Sequence, residues 1–156
     1  MKTKWKTLIL CILIPLAIGA ISAFFTADSM SSFDAITKPP FSPPGVLFPI
    51  VWTILFVLMG IASYLVYASS APKTQKDTAL TVYGLQLAVN FFWSLIFFNL
   101  NAYLFAFFWL LLLLALIAIT IIKFRKISPV SALLLLPYLL WVTFAGYLNL
   151  AIYFLN

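Results

Sequence analysis

Apolar residues run almost unbroken through five stretches of this chain, at about 5–26, 46–68, 78–98, 102–123 and 130–155, and polar residues collect between them. A helix needs about 20 apolar residues to cross the hydrocarbon core of a bilayer, so each stretch predicts one spanning helix. Together they take up most of the 156 residues. The pattern predicts an all-α membrane protein, one bundle of five transmembrane helices over 1–156, with a single long connection at 27–45. Pro72 and Pro129 mark the connections on either side of the third and fourth spans. Asn99-Leu100-Asn101 is so short a turn that the third and fourth spans must be antiparallel neighbours.

Composition agrees. With 65% hydrophobic residues, 8% charged residues and a mean hydropathy of +1.17, the chain is far too apolar for a soluble domain. Cutting it into five spans places eight of its nine Lys and Arg residues on one side: Lys2, Lys4 and Lys6, then Lys73 and Lys76, then Lys123, Arg125 and Lys126. Only Lys38 falls opposite. Basic residues in short loops stay cytoplasmic, so the N-terminus is expected inside and the C-terminus outside. The net charge of +6 is accounted for by topology and anionic membrane lipids, and no nucleic-acid partner is expected. The Lys-rich start also fits a secretory signal peptide. Its apolar run, however, continues through Phe24 and Phe25, past an h-region of about 7 to 15 residues, and its removal would spoil the charge alternation. In that first span Ala17, Gly19, Ala20, Ser22 and Ala23 allow a close helix neighbour. Cys11 is the sole cysteine, so no intrachain disulfide or cysteine metal cluster is expected.

The 27–45 connection holds Lys38-Pro39-Pro40-Phe41-Ser42-Pro43-Pro44-Gly45, a stiff extended or turning segment expected to lie outside, over the bundle. No Asp, Glu, His, Lys or Arg lies well inside any span, which argues against proton-coupled transport. The absence of histidine removes the common ligand for haem iron and zinc. What remains is polar and aromatic, at helical spacing: Pro49, Trp52, Phe56, Gly60, Ser63 and Tyr67 on the second span; Tyr83, Gln86, Asn90, Trp93 and Phe97 on the third; Tyr138, Trp141, Ala145 and Asn149 on the fifth. Two readings stand. In one, Gln86 and Asn90 hydrogen-bond neighbouring helices and the tryptophans fill space. In the other, Trp52, Trp93 and Trp141 line an apolar cavity toward the outer leaflet and Asn90 orients its guest.

The run Lys38-Pro39-Pro40-Phe41-Ser42-Pro43-Pro44, Trp52 with Met59-Gly60 and Ser63-Tyr64-Leu65-Val66-Tyr67, Gln86-Leu87-Ala88 with Asn90, Trp93 and Ile96-Phe97-Phe98, and Pro137-Tyr138-Leu139-Leu140-Trp141 with Phe144-Ala145 and Leu148-Asn149 resemble the TspO/translocator protein family, also known as tryptophan-rich sensory proteins or peripheral-type benzodiazepine receptors. The resemblance spans most of the chain. It implies a five-helix bundle, commonly a homodimer, whose pocket under the first loop takes porphyrins and synthetic benzodiazepine or isoquinoline-type ligands. By matching position it implies that Trp52, Asn90, Trp93, Trp141, Ala145 and Leu148 line that pocket. On this reading no cofactor is required, and porphyrin is a ligand.

Departures from the family pattern bear on ligand choice. The proline before Trp52 stands three residues away rather than two, and Phe41 replaces a loop tryptophan. Phe105 and Trp109 replace a tryptophan and an acidic residue of animal members. No Lys or Arg follows Lys126, so the resemblance does not extend to a sterol-recognition element. Three functions follow as expectations. A receptor or sensor would stack a tetrapyrrole on Trp52 and Trp141, with Lys38 meeting a propionate. A light-dependent porphyrin-degrading protein would use Trp52 or Trp141 as electron donor or oxidant target. A porphyrin transporter is the third. Gly84 and Ala88, at i and i+4 on the third span, are the expected dimer contact or an internal packing pair. The clean charge bias and the lack of a long N-terminal extension point to a bacterial cell membrane.

Overall fold

A computed structural model describes residues 2–156. It contains five helices long and apolar enough to cross a membrane. Helix α1 is Trp5–Thr26; a 3₁₀ turn, Ala27–Ser29, leads into the short α2, Met30–Ala35. Then come α3, Leu47–Tyr67, and α4, Lys73–Ser94, which runs on through a π-turn at Leu95–Asn99. Helices α5, Tyr103–Ile127, and α6, Pro129–Leu155, complete the chain. Around the bundle the order is α1, α3, α6, α5, α4, and α4 closes the ring against α1. As the three-residue turn requires, α4 and α5 are neighbours. That turn is closed by Asn101 in the left-handed region, at φ 52°, a conformation asparagine tolerates better than most residues.

Helix boundaries depart from the hydropathy boundaries for identifiable reasons. Helix α4 starts at Lys73, not 78, because Pro72 has the extended backbone of an N-cap and the polar turn behind it is helical in water. A lipid-length pattern does not register that turn. Helix α5 continues to Ile127 because Arg125 and Lys126 in its last turn complement the negative end of the helix dipole. Helix α6 opens with Pro129 in its first turn, where a missing N–H costs nothing, after Ser128 as N-cap; the Ser128 hydroxyl accepts from the Ser131 N–H at 3.4 Å. The 27–45 connection is less extended than its prolines imply, since its first half coils into the 3₁₀ turn and α2.

The bundle is apolar on both sides. Met59, Val66, Leu110, Leu113, Ile117 and Val142 fill the interior, while Leu111, Leu112, Ile119 and Ile122 on α5 face outward as lipid requires. No hydrophobic effect drives helices together in lipid, so close packing and internal hydrogen bonds must hold the bundle. Gly60 supplies one such approach: a Cβ there would overlap Ile12 Cα and lie 2.8 Å from the Cys11 carbonyl oxygen, so α1 and α3 touch backbone to backbone.

Candidate functional site

The residues singled out from sequence sit mainly on three helices, α3, α4 and α6. Helix α4 presents Tyr83, Gln86, Asn90, Trp93 and Phe97 inward, and all five are buried, as the 3.6-residue period predicts. Their polar groups are used between helices. The Asn90 amide nitrogen donates to the Tyr138 hydroxyl at 2.9 Å, and that hydroxyl donates to Gln86 Oε1 at 2.7 Å. Trp93 Nε1 donates to Asn149 Oδ1 at 3.1 Å, and Asn149 Nδ2 donates to the Tyr103 carbonyl at 2.7 Å. Gln86 and Asn149 are each 1% exposed, so without these partners each amide would be stranded in an apolar interior. Two polar chains thus fasten α4 to α6 and α6 to the start of α5. Trp109 adds a third tie, its Nε1 donating to the Val89 carbonyl at 2.8 Å.

Helices α3 and α6 supply a row of aromatic rings. Trp52 stacks on Phe56, with centroids 5.5 Å apart and planes at 30°, and meets Tyr138 edge-on at 6.2 Å. Trp141 meets Phe48 edge-on at 5.8 Å and tilts against Phe144 at 5.7 Å. Phe48, Trp52 and Phe56 lie at i, i+4 and i+8 on α3; Tyr138, Trp141 and Phe144 lie at i, i+3 and i+6 on α6. Ring contacts sort them into two groups, Trp52 with Phe56 and Tyr138, and Trp141 with Phe48 and Phe144; each group bridges α3 and α6, and the two together make up the aromatic wall of this boundary. Trp141 also borders a groove of about 420 Å³ between α3 and α6, lined otherwise by Val51, Ile54, Leu55, Leu58, Pro137, Leu140 and Phe144. Its indole nitrogen is buried and has no hydrogen-bond partner among the described residues.

Of the residues singled out from sequence, Trp52 and Trp141 therefore both lie at the α3–α6 boundary, Trp52 against Tyr138 and Trp141 against Phe48. Asn90 reaches the same wall through the Tyr138 hydroxyl. Ala145 and Leu148 are buried on α6. Trp93 stands apart. Its ring neighbours are Phe97, stacked at 5.3 Å, and Phe98 at 6.2 Å, and the loop's Phe33 closes over both phenylalanines. Lys38 turns back on its own loop: its ammonium donates to the carbonyls of Phe33 and Asp34 at 3.1 and 3.2 Å and sits 4.9 Å above the Phe33 ring. Gly84 and Ala88 are exposed on α4, and nothing lies within 4 Å of a Cβ placed on Gly84, so within one chain this pair packs against no other helix.

Sequence reading missed Phe48 and Phe144, although each is one helical step from a tryptophan already on the face. It included Pro49 and Tyr67 in the α3 stripe, and both are exposed. Over a helix this long a stripe built from steps of three and four drifts, and the buried face deeper in α3 is carried by Leu55, Met59, Ala62 and Val66. It also missed the ties that hold the loop down. The Asn156 side chain accepts from the Thr37 N–H at 3.0 Å and donates to the Thr37 carbonyl at 2.8 Å, and the Tyr147 hydroxyl donates to the Pro40 carbonyl at 3.1 Å. Near the loop's start Ser29 donates to Asn99 Oδ1 at 2.6 Å, and Asn99 Nδ2 donates to the Phe25 carbonyl at 3.0 Å.

Comparison with known proteins decides the lineage of this bundle. The TspO/MBR family model matches residues 11–155. The chain belongs to the TspO/MBR family. It is 39% identical to the tryptophan-rich protein TspO of Chlorobaculum tepidum over 157 aligned positions, covering 100% of this chain and 99% of that one. The translocator protein of Homo sapiens is 34% identical over 133 positions, 85% of this chain and 79% of the human one. The tryptophan-rich sensory protein of Cereibacter sphaeroides is 32% identical over 117 positions, 75% of this chain and 72% of that relative. Family membership and five apolar helices make the chain an integral membrane protein. The matched segment contains the aromatic residues of α3 and α6, both polar chains and the 27–45 loop.

Proposed function

We propose that this TspO-family chain is a receptor or sensor-type membrane protein that binds porphyrins, such as protoporphyrin IX, against the aromatic wall of α3 and α6. The observation carrying this reading is that Trp52 and Trp141 each meet a ring across the α3–α6 boundary, with Trp141 bordering the groove there and its buried indole N–H unpartnered among the described residues. An apolar macrocycle partitions into the bilayer and reaches the groove from the side. Ring stacking then selects flat guests, and the Trp141 N–H supplies one hydrogen bond that the empty protein does not use. The carboxylates stay toward the loop, where Lys38 exchanges its carbonyl partners for a propionate. Asn90 acts through Tyr138, fixing the ring that Trp52 meets.

Three further assignments belong to the same proposal. The N-terminus and the Lys-rich ends face the cytoplasm, so the loop and the site open outward. Benzodiazepine and isoquinoline-type compounds compete for the wall because they are flat and apolar. Two copies pair through the exposed Gly84 and Ala88 on α4.

The test is a titration of detergent-purified protein with protoporphyrin IX in the dark, read by tryptophan quenching and the Soret band, followed by illumination. Saturable binding that weakens in Trp52→Phe and Trp141→Phe supports the receptor reading; absence of saturable binding overturns it. Loss of the Soret band under light in the native protein but not in Trp141→Phe, with binding retained, would move the assignment to light-dependent porphyrin breakdown.

A further inference from the structure

Helix α1 contributes no tryptophan to the aromatic wall, yet one of its residues touches that wall directly. A Cβ on Gly19 would overlap Phe56 Cε2 and stand 2.9 Å from Cδ2 and 3.1 Å from Cζ, so the Phe56 ring fills the space where a side chain at position 19 would be. Of the five small residues in this stretch, Ala17, Ala20 and Ala23 are exposed, whereas Gly19 is half-buried and Ser22 is buried. The close approach is therefore specific to one face of α1. Helix α1 has little freedom to back away, because Gly60 holds the α3 backbone against Ile12 and Cys11 two turns below.

We propose that Gly19 is a positioning residue for the aromatic site, setting the place of Trp52 through Phe56. Phe56 is 8% exposed and is stacked on Trp52, with centroids 5.5 Å apart. Trp52 in turn meets Tyr138, which is 1% exposed and held at its hydroxyl by Asn90 and Gln86. In this row of three rings, Phe56 and Tyr138 are enclosed and Trp52 is only half-buried. A methyl at position 19 displaces the Phe56 ring, and the displacement is passed to Trp52, the one ring with room to turn. Gly19 thereby controls the spacing of the wall and the size of flat guest it accepts. The consequence for ligands rests on the porphyrin reading above; the geometric coupling of residues 19, 56 and 52 does not.

The experiment compares Gly19→Ala, Phe56→Leu, the double variant and Ala20→Val, which adds the same kind of bulk to the lipid-facing side of α1. Two readouts are taken on each: protoporphyrin IX affinity in the dark, and the near-UV circular dichroism of Trp52, isolated by subtracting the spectrum of the same variant carrying Trp52→Phe. Gly19→Ala is expected to weaken binding about tenfold, the scale of overpacking in a close-packed site. It also changes the Trp52 spectrum. With the ring already removed by Phe56→Leu, adding Gly19→Ala is expected to change neither readout further, and Ala20→Val changes neither in the native background. A Gly19→Ala protein with a native Trp52 spectrum overturns the proposal, as does a Gly19→Ala effect equally large in the Phe56→Leu background. If the native protein binds no protoporphyrin, the porphyrin reading fails while the Trp52 spectrum still decides the role of Gly19.

Discussion

At the scale of single residues, Trp93 and Trp141 differ in that one indole N–H is satisfied and the other is not, which predicts opposite responses to substitution. Trp93 Nε1 donates to Asn149, so Trp93→Phe strands an amide oxygen in the interior and is expected to cost about 1–2 kcal/mol of stability, read by thermal unfolding in detergent. Trp141 Nε1 has no partner, so Trp141→Phe is expected to leave stability within about 0.5 kcal/mol of native while weakening protoporphyrin binding about tenfold. Equal losses of stability in the two variants would contradict the assignment. Tyr138→Phe should be the most damaging of the conservative changes. It removes the hydroxyl that both Asn90 and Gln86 use, leaving a donor and an acceptor unpaired for an expected loss of about 1–3 kcal/mol. Calorimetry or chemical unfolding of that variant checks it.

Helices and loops show how far the sequence could be read. The inward face of α4 was legible because Tyr83, Gln86, Asn90, Trp93 and Phe97 are polar or aromatic against a lipid-facing background of Leu85 and Phe92, and period alone sorts them. The start of α4 at Lys73 was not, since Lys73 to Asp77 form a water-exposed turn with an ion pair at 3.0 Å, outside any hydropathy signal. Nor was α2, six residues whose serines carry no helical preference and which are held by Phe33 packing on Phe97 and Phe98. Which helix each amide would bond could not be read either, because that depends on how two helices are rotated against each other. The loop ties lie in the same class: Asn156, Tyr147 and Asn99 are ordinary polar residues until the fold brings Thr37, Pro40 and Phe25 to them. Asn156→Ala with Tyr147→Phe is expected to release residues 37–41 while leaving the five spans intact. Hydrogen exchange should then rise at Thr37 and Lys38 and stay native in α4; unchanged exchange at the loop would show that its prolines alone hold it.

For the whole molecule, the ring α1, α3, α6, α5, α4 has the aromatic rings at the α3–α6 boundary, while the polar chains tie α4 and α5 to α6 and Trp109 ties α5 to α4. On the proposed function, that division separates the surface that takes flat guests from the bonds that keep the bundle closed. At the α1–α3 boundary the two backbones touch at Gly60. Gly60→Val is therefore expected to loosen the bundle by more than about 3 kcal/mol, seen as loss of the folded monodisperse species in detergent. The central claim, that the α3–α6 wall is where a porphyrin binds, is tested most directly by dark titration of protoporphyrin IX into the native protein and into Trp52→Phe with Trp141→Phe. The account predicts saturable binding with tryptophan quenching in the native protein, and loss of that binding in a double variant that unfolds at the native temperature. Undiminished binding by the double variant would contradict it and place the porphyrin elsewhere on the bundle.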